Sequence, residues 1–351
     1  MVAAVGQLGS LNKAAEKLCL TPSALSHQLR ELEQQLGTSV FYRVNNELHF
    51  TPAGKELREI SADVLPKLEG LKDRIRQIDQ DQLRGYVHGF SAEETQRLHD
   101  QATSISELLH WDSRWKEGAV ILEAGCGVGA QTQIIVKNNP NCDFVAIDLS
   151  DKSLSMAKEK MAALEADNVR FERADVTDLP MPDESFDHVF VCFLLEHLQD
   201  PDAALREIRR VLRKNGTLTV IEGDHGSTYF YPDSAVARKA IDAQVKLQSQ
   251  NGGNANIGRS LFPLLQEAGY GEVEVSPRQV YVDDSKPALV EGFTRNTFTA
   301  MIKGVKEEAV SQGIISASEM GRGIDDLYRT AQGGGTFCYT FFKATAVKVD
   351  K

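Results

Sequence analysis

At 351 residues the chain is too long for one ordinary domain and suits two, and 42% hydrophobic with 25% charged residues is an ordinary globular composition. The formal charge of -11 disfavours attraction of the whole molecule to nucleic acid or anionic lipid, while leaving room for a local basic face. Five scattered cysteines (Cys19, Cys126, Cys142, Cys192, Cys338) without a C-x-x-C pair argue against a disulfide framework or a zinc site. The longest apolar run, Val189 to Leu195, is far short of the ~20 residues of a membrane span. No charged-then-apolar leader opens the sequence, so the expectation is a cytoplasmic protein without a membrane partner.

Ser10 to Leu18 predicts a short amphipathic helix, Cys19-Leu-Thr-Pro22 a tight turn, and Ser23 to Glu33 a second helix. Thr21 is its expected N-cap and Pro22 its first helical residue. Two helices so joined make a helix-turn-helix, whose second helix would enter the DNA major groove with Ser23, Ser26, His27 and Arg30 toward the bases. Phe41 to Gly54 reads as a two-stranded wing from which Arg43 and Asn45 reach phosphates. Residues 1–58 carry Lys13, Lys17, Arg30, Arg43, Lys55 and Arg58 against Glu16, Glu31, Glu33, Glu47 and Glu56. So small an excess gives little non-specific phosphate binding. From Lys55 to Gln82 a charged helix is expected, with Leu57, Ile60, Val64, Leu68, Leu71, Ile75 and Ile78 drawing one apolar seam, and Pro66 kinking or breaking it.

From about Arg84, strand-like runs alternate with helical patterns, the signature of β-α-β units and a parallel sheet. Ala119 to Leu122 is a strand and Gln131 to Val136 opens a helix, with Gly125, Gly127 and Gly129 between them. Glycines at such a turn let the backbone bend tightly and approach a ligand. A dinucleotide site wants G-x-G-x-x-G; here the pattern is G-x-G-x-G with Glu123 before it. That suits a nucleoside with a charged amino-acid tail, S-adenosylmethionine (SAM), which has no pyrophosphate. The strand Cys142 to Ile147 ends in Asp148, about 20 residues beyond the glycines, where an acid can accept both ribose hydroxyls. A third strand from Val169 leads to Ala174-Asp175-Val176, with Asp175 placed to accept from the adenine amino group. A fourth, Phe186 to Cys192, leads into Phe193 to His197, and a fifth, Gly216 to Ile221, ends in Glu222-Gly-Asp-His225. These polar residues all fall beyond the carboxyl ends of the strands, where doubly wound sheets bind their ligands.

On these motifs, residues from about 85 to 345 resemble the class I SAM-dependent methyltransferases. Glu123 to Gly129 is similar to the family's first motif, Asp148 to its ribose-binding acid and Asp175 to its adenine position. Phe186 to Leu198 resembles the central strand and its loop, and Leu205 to Thr219 the following helix, turn and strand, with Lys214-Asn215-Gly216 where many relatives have Lys-Pro-Gly. The resemblance implies an α/β, Rossmann-like, doubly wound seven-stranded sheet over residues 85–351. It implies SAM contacts at Glu123, Gly125, Cys126, Gly127, Gly129, Asp148, Leu149, Asp175, Val176 and Cys192, and a lid over the cofactor with Tyr86, Arg97 and Gln101 as lining candidates. His225, Glu222 and His197 are the candidates for a base or for acceptor positioning, without a metal. Asp283 to Gly335 is expected to add helical material between the last two strands, ahead of Thr336 to Phe342.

Residues 5–80 resemble the winged helix-turn-helix and linker helix of LysR-type regulators, nearest to those of methionine biosynthesis through Thr21-Pro-Ser-Ala-Leu-Ser-His-Gln28 and Leu48-His-Phe-Thr-Pro-Ala-Gly54. This implies a DNA-binding domain at 1–58 and a linker helix at 59–84 that pairs two subunits into a homodimer. The sequence departs from that family in lacking most of the first helix, and in carrying a methyltransferase pattern where the effector domain would be. Two functions follow as expectations: methyl transfer to a small-molecule acceptor by a protein with a DNA-binding, dimerising head, or a regulator that senses SAM or S-adenosylhomocysteine. Methylation of DNA itself is disfavoured, because neither an N/D-P-P-Y-like nor a Pro-Cys motif follows the fourth strand.

Overall fold

Helical spacing near the N-terminus and strand-helix alternation further on give two separate units, Met1–Gln82 and Leu83–Lys351. The computed structural model describes residues 10–17, 20–44, 47–58 and 105–349, with Val5 and Ile60. Asn45, nearly all of the expected linker helix at 59–84, and the lid candidates Tyr86, Arg97 and Gln101 lie outside the described residues.

In the first unit, α1 (Leu11–Lys17) packs on α2 (Pro22–Leu36). The Thr21 side chain accepts from the Ala24 N–H at 3.2 Å with Pro22 in the first turn, as expected of that pair, and Gly37 closes the helix at φ 66. Leu25 and Leu29, one turn apart, are buried with Ala14, Ala15, Val40 and Phe41. The wing is β1 (Phe41–Val44) paired antiparallel with β2 (Glu47–Phe50). Glu33 Oε1 accepts from the Val40 N–H at 2.7 Å, which ties α2 to the wing. Residues 52–58 are helical, and a Cβ on Gly54 would stand 2.1 Å from the Val40 carbonyl oxygen, so only glycine fits there.

In the second unit the strands are β3 (Val120–Ala124), β4 (Asp143–Asp148), β5 (Val169–Arg173), β6 (Phe186–Cys192), β7 (Leu212–Tyr231), β8 (Tyr270–Val282) and β9 (Thr336–Lys348). They form one sheet in the order β5-β4-β3-β6-β7-β9-β8. β3 to β7 pair in parallel, and β9 runs antiparallel to both of its neighbours. The helices are α3 (Ser106–His110), α4 (Thr132–Asn138), α5 (Asp151–Ala163), α6 (Pro201–Val211), α7 (Ala235–Gln250) and α8 (Leu261–Glu267). Between β8 and β9 follow α9, which runs from Pro287–Leu289 through a π-helical stretch Val290–Thr299 to Ala300–Gly304, then α10 (Lys306–Ser311) and α11 (Ala317–Arg329). These helices occupy residues 287–329, between the last two strands in sequence.

Because strand side chains alternate, the sheet has two cores. Ile121, Phe144, Phe190, Ile221 and Phe337 face α3, α4, α7 and the insert. Leu122, Val145, Val189, Leu218 and Ala344 face α6 and α8. Lys343 of β9 is buried and donates to Asp112 Oδ1 at 2.6 Å, Ser113 Oγ at 2.9 Å and the Leu109 carbonyl at 3.2 Å, fastening the end of α3 to the sheet. Arg278 of β8 pairs with the same Asp112.

One expectation needs correction. The fifth strand was to end at Ile221, with Glu222 to His225 in a loop beyond it; instead β7 continues to Tyr231. The reason is β9, which lies alongside from Val347 opposite Thr217 to Thr336 opposite Tyr231 and gives the extra backbone groups partners. The register breaks only between Asp224 and Tyr229, so His225 sits in an irregularity of a strand pair.

Two buried histidines make the fold acid-sensitive. Burial pushes His110 down to about 4 and His188 to about 3, although Gln131 Oε1 lies 2.8 Å from His110 Nε2 and Thr217 Oγ1 lies 2.6 Å from His188 Nδ1. The unfolded chain takes up protons at the ordinary histidine value of 6.5, where the folded chain does not. The contribution of these histidines to stability is therefore full above that value and falls as pH drops toward about 4. Urea unfolding across this range should show His188→Gln losing less stability toward acid than the parent, with proton uptake on unfolding reduced by about one.

Candidate cofactor and acceptor site

The chain leaves β3 through a turn built on three left-handed glycines: Gly125 (φ 75), Gly127 (φ 52) and Gly129 (φ 74). The N–H groups of Gly125 and Cys126 both donate to the Ile147 carbonyl at 2.9 Å, which pins the turn to the end of β4. A Cβ on Gly129 would stand 3.0 Å from Ala157 Cβ, so its absence lets α5 close on the turn. A Cβ on Gly127 would meet nothing within 4 Å, so the middle of the turn opens onto free space. Glycine there answers only to φ.

Asp148, at the tip of β4, spans that opening. Its Oδ2 accepts from the Gly127 N–H and its Oδ1 from the Ser150 N–H, both at 2.9 Å. Each oxygen keeps a second lone pair for a ligand hydroxyl. Burial raises the carboxyl above its ordinary value, while the backbone N–H groups pull the other way. Glu123 is 2% exposed and its Oε2 is buried without a partner. Burial, with the neighbouring Asp148 charge, pushes it up to about 8. A buried carboxyl with one oxygen unpartnered among the described residues, beside an open glycine turn, fits a ligand ammonium. Beyond β5, Asp175 Oδ1 accepts from the N–H and the hydroxyl of Thr177 at 2.8 and 2.7 Å, leaving Oδ2 for an amino group. Leu149 is half-buried and Val176 is buried beside these acids, and Cys192 is buried at the end of β6.

The loop after β6 was read only through His197. Phe193 leaves the strand at φ 56, its N–H donating to the Ile221 carbonyl at 2.9 Å and its ring 5.4 Å from that of Phe341. A left-handed aromatic residue is strained backbone, of the kind that clusters at functional sites. Leu194 and Leu195 then donate to Glu222 Oε1 at 3.0 and 2.7 Å. Glu222 is fully buried, and burial with the neighbouring Glu196 carboxyl holds it well above the usual carboxylate range. His197 closes the loop with its Nε2 3.6 Å from Glu196 Oε1.

His225, expected in a loop close to the end of the fifth strand, is 5% exposed. Its Nδ1 lies 2.9 Å from the Tyr339 hydroxyl and its Nε2 3.3 Å from Met301 Sδ. Tyr339 itself packs among Phe293, Phe298 and Phe341. So Glu123, Gly125, Cys126, Gly127, Gly129 and Asp148 come together at one turn, while Glu222 and His225 within β7 and His197 after β6 do not form one cluster. Sequence reasoning missed Phe193, Leu194, Tyr339 and Met301. The alternation of Phe337, Tyr339 and Phe341 was the signal for an inward aromatic face, but not for what it would meet. Among the described residues, no group of His, Cys, Asp and Glu could hold a metal ion, and no helix is long and apolar enough to cross a membrane.

In the first unit Ser23, His27, Arg30 and Arg43 are exposed and Ser26 is half-buried. Arg30 Nη2 donates to Ser26 Oγ at 3.3 Å, and His27 Nδ1 lies 3.5 Å from Glu31 Oε2. The face of α2 opposite Leu25 and Leu29 thus carries these polar groups into solvent.

Comparison with known proteins agrees with this division. A family model described as a methyltransferase domain matches residues 122–220, and one for bacterial regulatory helix-turn-helix proteins of the lysR family matches residues 1–55. An uncharacterized 37.1 kDa protein in transposon TN4556 of Streptomyces fradiae is 30% identical over 332 residues, 91% of this chain and 88% of the relative. The second unit alone cannot supply that span, so the match reaches into both units. Demethylmenaquinone methyltransferase of Staphylococcus aureus is 35% identical over 108 residues, 30% of this chain and 44% of that enzyme. An uncharacterized methyltransferase of Schizosaccharomyces pombe is 34% identical over 161 residues, 43% of this chain and 56% of the relative. The chain thus spans about half the length of these two enzymes. Among solved structures, the YcgJ protein of Bacillus subtilis is similar, with a TM-score of 0.49 at 16% identity over 71% of this chain and 99% of that one. The chain belongs to one family with the transposon TN4556 protein, and it carries a methyltransferase domain at residues 122–220 and a bacterial regulatory helix-turn-helix of the lysR family at residues 1–55.

Proposed function

We propose that residues 85–351 carry a methyl group from SAM to a small-molecule acceptor, and that residues 1–58 bind DNA while the linker at 59–84 pairs two copies of the chain in the cytoplasm. The observation that carries the reading is the Gly125–Gly129 turn, opened at Gly127 and spanned by the Asp148 carboxylate at the carboxyl ends of β3 and β4. Asp148 takes the ribose hydroxyls, Glu123 the ammonium of the amino-acid tail, and Asp175 the adenine amino group. The backbone of Cys126 and Gly127 lies along the tail, Leu149 and Val176 flank the base, and Cys192 borders the methyl. Tyr86 and Gln101 are assigned to the lid on the sequence pattern alone.

SAM supplies an electrophilic methyl on a sulfonium, so the chain's task is to align a nucleophile with it, a contribution of roughly 7–11 kcal/mol when geometry is right. For an oxygen or nitrogen acceptor a proton must also leave. His197 and His225 are assigned to that side, His225 together with its Tyr339 partner. In the head, Ser23, Ser26, His27 and Arg30 of α2 are assigned to base edges and Arg43 of β1 to phosphate.

Turnover of labelled SAM against a panel of cell metabolites tests the enzyme reading. Tight SAM binding that alters DNA affinity, with no metabolite methylated, would replace it by the sensor reading. Asp148→Ala should weaken SAM binding about 100-fold or more, because charge-assisted bonds to two hydroxyls are lost. Normal affinity would sink the ribose assignment. Glu123, neutral below about 8, should give up its proton when a ligand ammonium arrives. SAM binding at pH 7 should then release a proton, read by calorimetry in buffers of different ionisation enthalpy, and Glu123→Gln should abolish the release. Without ligand the folded chain holds this proton between 4.5 and about 8, so the contribution of Glu123 to stability declines as pH rises through that window. In the head, Arg30→Ala should weaken a gel shift with the upstream DNA by about tenfold.

A further inference from the structure

The glycine turn leans on a residue outside it. A Cβ on Gly125 would stand 2.8 Å from Leu194 Cδ1 and 3.0 Å from Cδ2, so the Leu194 side chain lies directly on the Gly125 backbone. Leu194 belongs neither to a helix nor to a strand: the chain leaves β6 through Phe193 at φ 56, and only a three-residue 3-10 turn, Leu195–His197, follows. Two attachments define its position. The Phe193 N–H donates to the Ile221 carbonyl, and the N–H groups of Leu194 and Leu195 converge on one oxygen, Glu222 Oε1.

Glu222 stands opposite Phe342 on β9, which packs with the α8-side core, whereas Tyr339, the partner of His225, belongs to the other core. Its second oxygen, Oε2, is buried without a partner among the described residues. A carboxyl wholly removed from water is costly, and an apolar residue of similar size would ordinarily serve stability better. Here the acid satisfies two amide groups beside the cofactor turn, which an apolar side chain would leave unpaired.

We propose that Glu222 is a positioning residue for the cofactor: its Oε1, by accepting from Leu194 and Leu195, seats Leu194 on Gly125 and keeps the Gly125–Gly129 turn in its left-handed form. The inference rests on reading that turn as the SAM site, and it assigns Glu222 a different task from a base. The two tasks separate at one substitution. Glu222→Gln destroys a base but keeps an oxygen that accepts from both amides.

Calorimetric titration of SAM and S-adenosylhomocysteine into the full chain provides the test. Glu222→Gln should bind both within about threefold of the parent, and Glu222→Leu at least about tenfold more weakly. Leu194→Ala should weaken binding similarly, and the double variant should be no worse than the weaker single one, because both act through one contact. A merely structural role would lower the melting temperature of Glu222→Leu while leaving the affinity of the folded protein unchanged, and that result overturns the proposal. So does a Glu222→Gln variant as weak as Glu222→Leu. If Glu222→Leu does not fold, Leu194→Ala decides: parental affinity there overturns it. A parent chain that binds neither ligand would overturn the cofactor site and this proposal together, whereas a binding parent with unaffected variants removes only the role of Glu222.

Discussion

The carbonyl oxygen of Ile147 accepts from two consecutive amides, Gly125 and Cys126, and the cofactor end of the sheet hangs on that attachment. It ties the last residues of β4 to the first residues after β3, so the two strands end level and their loops emerge side by side. Asp148 then follows one residue after the pinned carbonyl and returns a second link through the Gly127 N–H. With both links in place the turn has little freedom left. Its glycines are needed for their left-handed angles and for the close approach of Leu194 on one side and Ala157 on the other.

Around this point the protein concentrates buried acids. Among the described residues Glu123 and Asp148 of the turn, and Glu222 under the next loop, carry no ion pair, while Glu196 has His197 Nε2 at 3.6 Å. Burial raises Glu123, Asp148 and Glu222, whereas the similarly buried Asp224, one strand step beyond, has Arg259 Nη2 at 2.6 Å. Ligand groups arriving at Glu123 and Asp148 can relieve part of this cost, and the apolar clusters on both faces of the sheet offset the rest.

Much of this was legible in the amino-acid order, and the reasons differ from residue to residue. Phe186 to Cys192 was readable because a central parallel strand, covered on both faces, ends here in the apolar run Val189-Phe-Val-Cys192. The glycine turn was readable because positive φ leaves few residue choices. The helical insert was readable because the texture changes at Asp283 and again at Gly335. Hidden were features that depend on distant partners. β7 runs past Ile221 only because β9, more than 100 residues later, lies beside it. His225 meets Tyr339 across 114 positions, and no local pattern announces such a contact. Nor does anything in Phe193-Leu-Leu195 foretell a left-handed phenylalanine, since its conformation is imposed by Ile221 and Glu222 from the neighbouring strand.

The segment between β8 and β9 starts after Val282 and ends before Phe337, and these two residues sit directly opposite each other in the sheet. Its ends are therefore held together by strand pairing, whatever lies between them. Closing a longer or shorter excursion at such a junction changes the entropic cost only logarithmically, by about 0.6 kcal/mol per doubling of length. Closure alone therefore sets little limit on the length of this segment, while the residues it buries against the sheet, Phe293, Phe298 and Met301 among them, decide what faces His225.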